Sequence, residues 1–200
     1  MYRLAILALV ASVTANVYVD SECPEIKPVE NFNLYAQGRW YETARYPNYA
    51  EKKGKCGYAE YVLDGDVIKV KNVHVVDNKL SFVEGTAKFA EGADRTGRLL
   101  FTLPYGLQNV LNILATDYDN YAIGYFCKYN EEKKNRQDFA WVLTRTKNLE
   151  GTVKTNVENF IKDTKFLDLS KFIYPDFSDA ACNIKNKNKT ITTQNYKIKF

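Results

Sequence analysis

The sequence predicts an all-β fold, an eight-stranded antiparallel up-and-down barrel with one C-terminal α-helix packed outside it. Three observations carry this expectation. Eight short segments rich in Val, Tyr, Phe, Ile and Thr follow one another between Gly38 and Thr146. Most of the connections between them are of hairpin length, so neighbours in sequence pair antiparallel. A single amphipathic helix follows the last of them.

The elements follow in order. Residues 16–36, NVYVDSECPEIKPVENFNLYA, hold Pro24 and Pro28 and read as an extended arm with one short turn, pinned by Cys23. Strands are expected at 39–46, 55–63, 66–76, 79–89, 97–103, 109–117, 121–129 and 137–146. The turns between them are DGD (64–66), DNK (77–79), EGAD (91–94), PYG (104–106), DYDN (117–120) and NEEKKNRQ (130–137). In KVKNVHVV (69–76), Lys69, Lys71, Val73 and Val75 share one face, and Val70, Asn72, His74 and Val76 the other. Two lysines need water, so the second face is the inner one, and it carries His74, the only histidine of the chain. The same parity turns inward Leu99, Phe101 and Leu103, then Ala122, Gly124, Phe126 and Lys128, then Gln137, Phe139, Trp141 and Leu143. A barrel of eight strands is wide enough for one small ligand, so these inward residues are the candidate site. In GTVKTNVENFIKD (151–163), Val153, Val157, Phe160 and Ile161 form one apolar stripe, with Thr152 placed to cap the helix. A short extended piece at KFIYPDF leads to Cys182.

Two hundred residues make one domain of ordinary size. Residues 1–15 read as a secretory signal peptide: Arg3 in the basic region, an apolar stretch Leu4–Ala11, and small residues before a cleavage point at Asn16. That stretch is far below the ~20 residues a membrane helix needs, and no later segment is long and apolar enough. A secreted, extracellular protein with no membrane partner is expected. The folded domain is assigned to 16–183 and a lysine- and asparagine-rich tail, expected to be disordered, to 184–200. Arg3 and five tail lysines carry the basic excess; the remainder has 28 − 6 = 22 basic against 24 acidic residues. That excludes a nucleic-acid-binding domain. Cys23, Cys56, Cys127 and Cys182 imply disulfides, and four cysteines allow three pairings. Their spacing is too wide for a paired-cysteine zinc site, so no metal is expected. An enzyme is not expected either: His74 alone could serve a triad, and no G-x-S-x-G motif is present.

GRW at 38–40, TDY at 116–118 and Arg145 in WVLTR resemble, in order and spacing, the three signature regions of the lipocalins. The resemblance implies that Trp40 packs against Arg145 at the closed end of the barrel, a structural role. NVYVDSECPEIKPVENF, EKKGKCGYAEY, NYAIGYFCKYNEEKK, QDFAWVLTR and YPDFSDAAC resemble the insect bilin-binding lipocalins, the bilin-binding protein and insecticyanin group, over roughly residues 16–183. That family pattern implies disulfides Cys23–Cys127 and Cys56–Cys182. It implies a non-covalently bound biliverdin, and a cavity lined at Asn72, His74, Leu103, Tyr105, Phe126, Lys128, Gln137 and Phe139, with Asn48, Tyr49 and the rest of the loop to Glu51 at the mouth. Lys128 is placed to meet a propionate of that ligand. The chain departs from the family in a shorter loop after Tyr105 and a longer tail, which carries the only glycosylation sequon, at Asn188. The function expected is a carrier of biliverdin for pigmentation or storage, with the haemolymph as its location. The other readings are a carrier of a different small apolar ligand (retinoid, carotenoid or fatty acid) and a protein-binding module using the open-end loops. A homo-oligomer is compatible with all three.

Overall fold

The computed structural model describes residues 16–34, 37–182 and 192–193. Eight antiparallel strands close a barrel: β2 (Gly38–Arg45), β3 (Lys55–Asp64), β4 (Val67–Val76), β5 (Lys79–Phe89), β6 (Arg98–Thr102), β7 (Gln108–Thr116), β8 (Tyr121–Asn130) and β9 (Asn135–Thr144). Each pairs with the next, and β9 returns to β2. The arm supplies a further strand, β1 (Val17–Val19), which pairs with the first half of β9. Helix α1 (Gly151–Asp163) lies outside, and a short helix α2 (Asp179–Cys182) ends the C-terminal segment.

The burial pattern is inverted on the wall that the helix covers. Along β9 the outward residues Arg136, Asp138, Ala140, Val142 and Thr144 are buried, whereas the inward Gln137, Phe139, Trp141 and Leu143 keep accessible surface. Val157 and Ile161 of α1 pack with Ile123, Tyr125, Ala140 and Val142 in the largest apolar cluster, which therefore lies between helix and barrel. Inside, Ile68, Val70, Ala87 and Leu99 fill the closed end, and Phe32 of the arm packs with Leu99 and Ile113 there. Farther along the inner wall, Phe126, Gln137, Phe139 and Trp141 keep accessible surface.

The closed end is sealed by Arg145, whose guanidinium carbon lies 3.7 Å from the Trp40 ring centre. It donates to the carbonyls of Gln37 (2.7 Å), Arg39 (3.1 Å) and Tyr118 (3.3 Å), so it ties the first strand to the TDY turn. Disulfides join Cys23 to Cys127 and Cys56 to Cys182, the pairs that the resemblance implies. The first fastens the arm to β8, and the second fastens the C-terminal segment to β3.

Four expectations need correction. Val73 and Val75, placed on the solvent face, are buried. Their outer face is covered by aromatic rings: Val73 pairs with Tyr58 and Phe82, and Tyr58 lies edge-on to Tyr41, which meets Phe177 of the C-terminal segment. The turn 130–137 is shorter than expected, because Asn135 and Arg136 join β9 opposite Asn130 and Tyr129. The arm is not merely extended but forms β1. Thr152 does not cap α1: the cap position is Glu150, which makes no side-chain cap bond. Thr152→Ala should therefore shift stability by less than about 0.5 kcal/mol, the ordinary surface range, in a thermal unfolding comparison. A loss near 1 kcal/mol would restore the capping role. The expected signal peptide 1–15 and the sequon at Asn188 lie outside the described residues. So does the tail 184–200, apart from Thr192–Thr193, whose backbone pairs parallel to Ser81–Phe82 of β5.

Candidate ligand-binding cavity

Neighbouring strands bring three rings together on the inner wall. Phe126 of β8 stands opposite Phe139 of β9, with centroids 5.1 Å apart and planes 29° from parallel. Phe139 continues to Trp141 at 6.2 Å and 14°. Period-two alternation on one strand and direct pairing across to the next are enough to build this ladder. Gly124, opposite Trp141, adds no side chain to that wall. All three rings keep accessible surface, so the wall can bury a flat apolar partner.

A polar cluster adjoins the ladder, and an irregularity in β2 creates it. Glu42 pairs with Leu143, but Ala44 pairs with Val142, so Thr43 is an extra residue in the strand. Strict alternation would place Glu42, Ala44 and Tyr46 inside. The bulge instead sends Ala44 and Tyr46 to the helix side and puts Arg45 inside, opposite Trp141. Arg45 Nη1 then donates to Glu42 Oε1 at 2.7 Å, and Nη2 donates to the Glu51 carbonyl at 2.6 Å. His74 Nε2 meets Glu42 Oε2 at 3.4 Å. Glu51 reaches in from the loop after β2, and its Oε2 accepts from Trp141 Nε1 (3.1 Å) and Asn48 Nδ2 (2.5 Å). His74 fits because β3 is bare beneath it: a Cβ on Gly57 would lie 2.7 Å from the imidazole.

Charge is tightly confined here. Burial opposes ionisation of Glu42, but the bond to His74 and the charges of His74 and Arg45 hold its carboxyl below the usual range. Burial also works against the charged imidazole, yet Glu42 and then Glu51 raise the His74 pKa. Burial and repulsion from Glu42 push the Glu51 carboxyl up. Glu42, Glu51 and His74 place ligand atoms within 4.8 Å of one another, a donor set of the kind a cation uses. The guanidinium of Arg45 already lies against Glu42 and supplies positive charge at that point.

The expected site residues divide by position. Asn72, His74, Phe126, Gln137 and Phe139 face the interior on their strands. Leu103, just past β6, lies over Gly85, 3.2 Å from where a Cβ would be. Asn48 is buried and holds Glu51 through both side chain and backbone. Tyr49 (67% exposed), Tyr105 (74% exposed) and Lys128 lie on the surface of the open end. A separate hollow of about 380 Å³ on the outer wall has Lys147 as the only charged side chain in its lining, so it offers no convergent chemistry.

Residues 37–179 match the model of the Lipocalin / cytosolic fatty-acid binding protein family. The chain is a lipocalin. Among its relatives, the bilin-binding protein of Pieris brassicae is 50% identical over 190 residues, which cover 93% of this chain and all of that one. Insecticyanin-B of Manduca sexta is 41% identical over 193 residues, covering 91% of this chain and 93% of its own. The solved structure of insecticyanin from Manduca sexta superposes with a TM-score of 0.80 at 39% identity, over 84% of this chain and 93% of that one. As a lipocalin the chain is a binding carrier and not an enzyme, and its barrel takes small apolar ligands. This lipocalin's cavity has one sandwiching aromatic wall and one buried charged corner. The residues that make the corner, Glu42 and Arg45, were not among the candidates from sequence. A charged pair three apart in a strand otherwise alternating toward the core was the available signal.

Proposed function

We propose that this lipocalin is a secreted carrier that binds biliverdin non-covalently in the barrel, for pigmentation or storage. The single observation that supports it best is the pairing of the Phe126–Phe139–Trp141 ladder with a polar corner at its end. An open-chain tetrapyrrole is a flat conjugated surface edged with N–H and C=O groups, and it needs both. A retinoid, carotenoid or fatty acid would use the ladder and leave buried carboxylates facing hydrocarbon, which is unfavourable. The name of the relative from Pieris brassicae, bilin-binding protein, points the same way. Asn72, His74, Leu103, Phe126, Gln137 and Phe139 are proposed to line the ligand, with Asn48, Tyr49, Tyr105 and Lys128 around the entrance.

Titration of ligand-free protein with biliverdin, followed by visible absorption and tryptophan quenching, tests the proposal. Saturable one-to-one binding, tighter than retinol, β-carotene or palmitate, is the expected result. Preference for any of those three overturns it. His74→Ala should weaken biliverdin about ten-fold or less, because one polar contact contributes only about 0.5–1.5 kcal/mol net. It should also move the visible band. An unchanged affinity and band would make His74 only a partner for Glu42. Secretion is checked by sequencing the mature N-terminus, expected at Asn16.

A further inference from the structure

We propose that the Glu51 carboxylate is the acceptor for the N–H edge of the bound ligand and holds a bilin in its N-protonated, cationic form. The inference rests on the bilin-carrier reading above.

Glu51 is presented to the cavity from the mouth loop. Arg45 grips its backbone carbonyl, while Trp141 and Asn48 both bond to Oε2. Oε1 accepts no hydrogen bond among the described residues, so it is available to a donor. The side chain keeps 22% of its surface, against 7% for Glu42, although it is hung inside the barrel.

Its charge is the less closely partnered of the two carboxylates. The corner holds two carboxylates, one guanidinium and the His74 imidazole; Arg45 makes its close contact, 2.7 Å, with Glu42, and His74 Nε2 also meets Glu42. Arg45 Nε is buried with no acceptor, and Glu51 Oε2 stands 3.9 Å away, beyond hydrogen-bond reach. Glu51 thus pairs with Arg45 through charge without a side-chain hydrogen bond, and bonds to the ladder through Trp141. The other titratable groups that act on it are Glu42 and Arg45 on β2 and His74 on β4. On its own loop, Lys52 lies over the Tyr49 ring and Lys53 pairs with Asp77, both at the surface.

A bilin stacked on the ladder would bring pyrrole N–H groups and one imine-type nitrogen past Trp141 toward Oε1. A proton from water on that nitrogen's lone pair makes an N–H⁺ facing a carboxylate in a water-poor site, and no other bond changes. An opposite charge at short range favours the protonated form. A fatty acid would bring a second carboxylate to the same place and be repelled. Protonated His74 neutralises the same excess charge, so imidazole and chromophore compete for one proton.

The test is a pH titration of the visible spectrum of the full chain loaded with biliverdin, where protonation strengthens and red-shifts the long-wavelength band. The bound chromophore should release its proton at higher pH than free biliverdin in the same buffer. Glu51→Gln should lower that midpoint by about one unit or more, a ten-fold loss of proton affinity. His74→Gln should raise it, and Glu91→Gln, in the β5–β6 turn, should leave it unchanged. A bound midpoint no higher than the free one, or equal midpoints in wild type and Glu51→Gln, overturns the inference while leaving the carrier reading intact. If Glu51→Gln fails to take up the chromophore, the bound-versus-free comparison and the sign of the His74→Gln shift decide. Failure of the wild type to bind biliverdin sinks the carrier reading itself.

Discussion

Asp138→Ala should cost the fold about 3–5 kcal/mol, the range for removing one member of a buried ion pair. Asp138 is 1% exposed, and its Oδ1 accepts from the Tyr125 hydroxyl at 2.7 Å and from Arg136 Nε at 2.9 Å. Arg136 is itself buried and donates to the Ser21 hydroxyl and the Glu22 carbonyl of the arm. The alanine variant would leave a guanidinium under the arm with its counter-charge gone and a phenol without its acceptor. Burial, the largest cause that pushes the Tyr125 hydroxyl pKa up, persists without Asp138, so the phenol stays neutral and cannot compensate. Urea unfolding of the two proteins gives the difference. The double variant Arg136→Leu/Asp138→Leu should recover much of it, since a matched apolar pair avoids the stranded charge. A loss below 1 kcal/mol in Asp138→Ala would mean that water reaches this pair.

The second large effect falls on binding. Phe139 is the middle ring of the ladder, with Phe126 on one side and Trp141 on the other. Truncating it to alanine removes roughly 100 Å² of ligand-facing apolar surface, worth about 2–3 kcal/mol at ~25 cal/mol per Å². Phe139→Ala should then weaken biliverdin by about 30- to 150-fold in the absorption titration, well beyond His74→Ala. Its melting temperature should fall by only a few degrees, because the ring is partly accessible and few core contacts depend on it. A variant that binds within three-fold of wild type would show that the ligand does not lie on this wall.

Much of this was legible in the sequence for a simple reason. A strand has a period of two, so KVKNVHVV and RQDFAWVL assign their own inner residues, and His74, Phe139 and Trp141 are found inside as that period requires. The loss of information starts where the period is broken. One extra residue at Thr43 reverses the parity of β2, and its one trace in GRWYETAR is the charged pair Glu42 and Arg45, three apart. Arg45 would be placed outside by the pattern, and with it the reason for a buried Glu42. Glu51 lies on a loop, where no periodicity applies and only its bonds to Asn48, Arg45 and Trp141 fix it. The outer face of β4 misled for another reason: two lysines mark one end of it as wet, and rings from β2, β3, β5 and the C-terminal segment cover the other.

The inverted burial of β9 separates two kinds of change in this chain. Residues that decide whether the barrel folds, Asp138, Ala140 and Val142 among them, look outward under the helix and the arm. Residues proposed to meet the ligand, Gln137, Phe139 and Trp141, alternate with them, look inward and keep accessible surface. Adjacent positions on a single strand therefore answer to different selective pressures. Mutation can alter the inner set and change the cargo while the scaffold keeps its stability. Descendants of such a barrel can diverge in colour or ligand long before they diverge in shape.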